Sequence, residues 1–159
     1  MIDLEMAGLL DLWFQLGHET HTTDQIRRQL EEGGHEGALT YIRTEVIIER
    51  RFSGDELFAI GELMNSCRSG PDFNDCSILF LALELEACLL TGDGALRKES
   101  EERAVEVRGT IWIFDQLIET GLLLPKVAAD KLQGLLDRGR FLPVEISKQR
   151  IEDWRKTGK

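Results

Sequence analysis

Two aspartates are spaced so that they could share one chemistry. Asp75 opens the apolar stretch DCSILFLALELEA, and Asp93 follows the short run CLLTG. Read as a helix, residues 75–87 rise about 20 Å at 1.5 Å each. Read as a strand antiparallel to that helix, residues 88–92 return about 17 Å at 3.3 Å each. Both carboxylates then fall at one end of the domain, the carboxyl edge of a parallel sheet, where open α/β folds place their ligand crevice. Two carboxylates there, with Thr91 and the glycines of Gly92-Asp93-Gly94 alongside, have the composition of a hard-cation site for Mg²⁺ or Mn²⁺. A purely structural role stands beside this one. An Asp in a helix's first turn is favoured by the helix dipole, and Gly-Asp-Gly is ordinary turn chemistry.

Other groups carry weaker signals. His18-x-x-His21 could be a metal pair, but no Cys or carboxylate lies at zinc spacing, so surface or packing roles are expected. Cys67, Cys76 and Cys88 form no C-x-x-C pair and have no evident basic neighbour to lower a thiol pKa, which points to core filling in a reducing cytoplasm. Trp13 and Trp112 lie on apolar helical stripes and read as core. Trp154 sits in the charged tail and reads as more open.

The elements that must position these residues follow from periodicity and punctuation. Apolar residues from Ile2 to Phe14 recur at helical spacing, with Asp3 placed to cap and Gly17 to terminate. Residues 18–23 read as a strand. Thr22-x-x-Gln25 has capping-box spacing for a helix ending at Gly33-Gly34. Residues 44–52 read as a strand, and Ser53-x-x-Glu56 opens a helix over 54–66. The helix 75–87 is apolar on nearly every face and is expected to be buried, followed by the strand 88–93, the polar helix ALRKESEERA and the strand VEVRG. Helices then alternate with breaks at Gly121, Pro125, Gly139 and Pro143. Strands alternating with helices through short turns predict an α/β domain with a mostly parallel sheet. The chain opens inside a helix, whereas most such domains open with a strand at the centre of the sheet. A segment from a second copy, or in-frame codons upstream of Met1, is expected to fill that slot, since unpaired backbone groups between strands are avoided.

Composition sets the bounds. The 159 residues suit a single domain, expected over 1–144 with a net-positive helix or tail at 145–159. Nineteen Lys and Arg against 29 Asp and Glu give a net charge of −10, which argues against a broad basic face gripping duplex nucleic acid. Metal ions could still supply positive charge locally. The amino terminus lacks the pattern of a signal peptide, and no apolar run approaches membrane-spanning length, so a cytoplasmic location without a membrane partner is expected.

From Asp75 to about Leu142 the sequence resembles the carboxyl half of a PIN domain. The likeness rests on Asp75 before its Ala/Leu-rich helix, LLTGD with Asp93, ALR, and GTIWIFDQLIETGLL. IDLEMAGLLDL resembles the segment just after the family's first strand. The closest likeness is to bacterial and archaeal predicted nucleic-acid-binding proteins containing a PIN domain. The resemblance implies a three-layer α/β/α fold and an acidic cluster binding Mg²⁺ or Mn²⁺ for phosphodiester hydrolysis, usually of RNA. Many relatives are the toxin of a toxin–antitoxin pair, which implies an antitoxin-like partner. Asp75 and Asp93 match the family's third and fourth acidic positions. The first, which closes the initial strand, is absent, and Asp3 comes several residues too late. The second falls on Gln29 of Gln29-Leu30, which can coordinate through its amide oxygen but brings no charge.

On that resemblance Asp75 and Asp93 hold the metal that activates water, and Arg97 and Lys98 contact a neighbouring phosphate unless they belong to a solvated face with Glu99, Glu101 and Glu102. The competing expectation is a PIN-like module that binds RNA or protein without cutting. A phospho-acceptor receiver domain needs adjacent amino-terminal carboxylates and a lysine after a late strand, and neither arrangement occurs.

Overall fold

The computed structural model describes residues 1–157. Two compact units are formed, one from Glu19–Arg108, the other from Met1–His18 with the segment from Gly109 onward. The chain opens with α1 (Ile2–Ala7) and α2 (Leu10–Gln15) instead of one continuous helix. Gly8 breaks the periodicity in the left-handed conformation (φ 62°), which glycine adopts at little cost. Two basic side chains satisfy carbonyls at the end of α1, Lys131 at Ala7 and Arg138 at Met6. Asp3 does not cap the helix. Its carboxylate accepts from Thr110 Oγ1 at 2.7 Å and Arg140 Nε at 2.6 Å.

The Glu19–Arg108 unit begins with β1 (Thr20–Thr23) and α3 (Asp24–Glu32). The capping hydroxyl is Thr23, accepting from Ile26 N at 3.2 Å, because the strand runs one residue further than the Thr22 box spacing assumed. The helix ends at Gly33-Gly34, as expected. Next comes α4 (Glu36–Arg43), which sequence periodicity did not reveal; it buries only Ala38, Leu39 and Ile42. Following β2 (Ile47–Arg50), the Ser53/Glu56 capping box forms and opens α5 (Gly54–Ser66). The remaining elements are α6 (Phe73–Leu85), β3 (Leu89–Leu90), α7 (Gly94–Glu102) and β4 (Val107–Arg108).

The unit is mixed α/β and its described pairings are parallel: β1 with β2, Thr20 opposite Ile47, and β3 with β4, Leu89 opposite Val107. These are two separate two-stranded ladders rather than one sheet. Helix α6 packs against both β1 and β3. Its Leu79 and Ala82 join Leu89, Leu96 and Val105 in one buried cluster. The helix is not buried all round, for Leu83 and Leu85 are exposed. An apolar pattern on every face does not say which face has a neighbour.

The other unit resumes with α8 (Thr110–Glu119), α9 (Pro125–Asp137, with Pro125 at its first position) and α10 (Val144–Thr157). Trp13 is buried and Trp112 half-buried, their rings 6.5 Å apart and edge-on. The charged tail is a docked helix: Ile151 and Trp154 are buried, Trp154 stacks on Phe114, and Arg150 and Arg155 pair with Asp115 and Asp130. Lys159, counted in the basic tail, lies outside the described residues. Among the described residues no helix is long and apolar enough to cross a membrane.

Candidate functional site

Asp75 stands in the first turn of α6, where it forms a capping box with Asp72. Asp72 Oδ1 accepts from Asp75 N at 2.8 Å, and Asp75 Oδ2 accepts from Asp72 N at 3.4 Å. Asp72 was not singled out in the sequence, although Asp72-x-x-Asp75 has the box spacing. Burial pushes the Asp75 carboxyl above the ordinary carboxylate range, and the charges of Asp72 and Asp93 push the same way against the backbone bond. Asp93 caps α7: its Oδ1 accepts from Leu96 N at 2.7 Å, while its own N–H donates to Thr91 Oγ1 at 3.0 Å. The two acids thus sit at the amino ends of successive helices, close enough for Asp93 to oppose ionisation of Asp75.

Each carboxylate spends one oxygen on its helix and leaves the other, Asp75 Oδ1 and Asp93 Oδ2, outside those bonds. Two hard oxygens beside an anion disfavoured by burial suit Mg²⁺ or Mn²⁺, which keeps several waters and takes one or two carboxylates. Together they offer a cation two carboxylate donors and no more. Among the described residues no group of three or more His, Cys, Asp and Glu gathers to hold a metal.

Thr91 is half-buried and tied to β4 through its N–H to Arg108 O at 3.0 Å. The Arg97 guanidinium donates to Thr91 O at 3.2 Å and Val107 O at 3.5 Å, and Lys98 is exposed. Gln29 is exposed on α3, whereas Gln25, one turn earlier, is buried with its amide oxygen unpartnered. His21 bonds Glu19 at 2.7 Å, and the His18 ring lies tilted beside those of Trp13 and Trp112, its centroid 5.3 and 6.2 Å from theirs. Cys76 is buried, Cys67 half-buried and Cys88 exposed, so core filling does not describe Cys88.

Glu99 departs furthest from expectation. It is no part of a solvated face. Only 1% exposed, it accepts from Arg68 N at 2.7 Å, Ser69 N at 2.6 Å and Arg103 Nη1 at 2.6 Å. Those donors hold its carboxyl down at a pKa of about 2. Sequence offered one hint, an Arg four residues on.

Strands feeding helices through short turns, with parallel pairing, define an α/β domain of the strand–helix class. Over residues 1–156 the chain matches the family described as DUF3368: PIN domain, and it belongs to that family. No curated protein and no solved structure gives a significant match.

Proposed function

We propose that this PIN domain protein is a Mg²⁺- or Mn²⁺-dependent ribonuclease hydrolysing RNA phosphodiesters, with Asp75 and Asp93 as its catalytic and metal-holding residues. The supporting observation is that Asp75 and Asp93 stand at the amino ends of successive helices, each with one carboxylate oxygen outside its helix's bonds; burial, then the Asp72 charge and last the Asp93 charge push the Asp75 carboxyl up. A bound divalent ion supplies water acidification and offsets charge on the phosphate. Asp75 and Asp93 would hold it through the oxygens their helices leave over. Thr91 fixes the backbone of Asp93. Arg97 anchors itself on the Thr91 and Val107 carbonyls, pairs with Glu101 at 3.6 Å and would turn its remaining donors to a phosphate beside the scissile one, with exposed Lys98 adding charge. Gln29, exposed on α3, would support the site only as a neutral ligand through its amide oxygen.

The reading includes a three-layer α/β/α domain over residues 1–144 with an appended helix, and a cytoplasmic toxin paired with an antitoxin-like protein, acting alone or as a homodimer. Purified protein should cleave structured or single-stranded RNA with Mn²⁺ and not without it. The absence of metal-dependent cleavage, or cleavage that survives Asp75→Asn, refutes the reading.

A second reading is a PIN module that binds RNA or a protein without cutting. The missing third acidic ligand among the described residues and the exposed Gln29 favour it. Tight Mn²⁺ binding by calorimetry would count against this alternative.

A further inference from the structure

We infer that Glu99 is a positioning residue: by tying the α5–α6 loop to the interior of α7, its buried carboxylate fixes where the Asp75 helix starts relative to the Asp93 helix. This rests on the reading of Asp75 and Asp93 as the site.

The connection can be traced atom by atom. Asp93 caps α7 and Glu99 lies within that helix, so a stiff element links them. Glu99 Oε1 accepts the N–H groups of Arg68 and Ser69, and from there the chain passes Gly70 and buried Pro71 to Asp72, the cap that shares a box with Asp75. The other oxygen takes Arg103 Nη1, whose guanidinium also donates to Ser66 Oγ at 3.1 Å, at the end of α5. The strap therefore grips the loop on both sides of Cys67. That loop needs an external tie. Gly70 is left-handed (φ 76°), and the Ser69 side-chain oxygen is buried beside Glu99. Charge-assisted bonds to two consecutive backbone N–H groups set direction as well as distance. A carboxylate this buried is costly unless fully paired, and here its partners are two loop N–H groups and the guanidinium of Arg103, the residue that closes α7. Positioning shells of this kind govern how well carboxylates meet a metal.

The test uses the full chain as wild type, Glu99→Gln, and Leu132→Ala as a destabilised control away from the strap. The readouts are amide hydrogen exchange and Mn²⁺ calorimetry, both well below every unfolding midpoint. In Glu99→Gln the amides of Arg68, Ser69 and Asp75 are expected to exchange at least about tenfold faster, and the control leaves them unaltered once its global loss is subtracted. Mn²⁺ affinity is expected to fall about tenfold in Glu99→Gln and to hold in the control. Unchanged Mn²⁺ affinity in Glu99→Gln, where the wild type binds the ion, overturns the inference. A wild type that binds no Mn²⁺ overturns the nuclease reading instead. The inference then stands or falls on the Asp75 amide, and acceleration confined to Arg68 and Ser69 reduces Glu99 to a loop clamp. Should Glu99→Gln not fold, Ser69→Pro removes one N–H donor while leaving Glu99 paired with Arg103, and exchange at the Arg68 and Asp75 amides together with Mn²⁺ affinity is read in the same way.

Discussion

If Asp75 is kept for chemistry, replacing it with Asn should cost the fold little. The bond from Asp72 N is long at 3.4 Å, so its loss is worth about 0.5 kcal/mol, and an Asn oxygen can still accept it. Losing a negative charge in the first turn of α6 forfeits a further amount of about 0.5 kcal/mol from the helix dipole. Opposing these losses, the substitution removes a carboxylate that burial and the charges of Asp72 and Asp93 disfavour. The balance should lie within about 1 kcal/mol of wild type at neutral pH. The pH dependence has a definite sign. A raised folded-state pKa means the native protein holds its proton more tightly, so this contribution to stability is present in acid and lost as pH rises through that pKa. Asn has no proton to lose. Wild-type stability should therefore decline relative to Asp75→Asn across the window above the ordinary carboxylate value and then level off. Urea unfolding at constant m-value from about pH 4 to about pH 7, beside an RNA cleavage assay with Mn²⁺, measures both properties. A loss above about 2 kcal/mol at neutral pH, or a wild-type advantage that grows with pH, would mean that Asp75 serves the helix cap.

The core, a turn and a thiol supply further checks. Leu79→Ala removes a fully buried side chain from the cluster joining α6, β3 and α7 and should cost about 3 kcal/mol in denaturant unfolding; a loss below about 1 kcal/mol would show that cluster to be loosely packed. Gly8→Ala forces a side chain into the left-handed region between α1 and α2, with Lys131 Nζ at 3.7 Å from the new Cβ, and should cost about 1 kcal/mol by the same measurement. Cys76 is buried with its thiol pushed up to about 12, so an aromatic disulfide reagent at about pH 8 should label exposed Cys88 first and leave Cys76 intact. Prompt labelling of Cys76 would reveal opening of α6 at the candidate site.

Several features were legible in the sequence because they are local. The Ser53/Glu56 box, the end of α3 at Gly33-Gly34, and the breaks at Pro125 and Pro143, where α9 and α10 begin, depend on residues within a turn of one another. The place of Asp75 in the first turn of a helix and of Asp93 in the turn before the next one is local in the same way. What escaped the sequence depends on distant partners. Whether Gly8 breaks a helix, whether the tail docks through Trp154, and whether the strands pair as one sheet or two ladders are decided by neighbours far along the chain. Glu99 shows why most clearly. In a run of charged residues it reads as solvated, and only the fold brings it two backbone donors from thirty residues away, enough to bury a carboxylate that periodicity would have left in water.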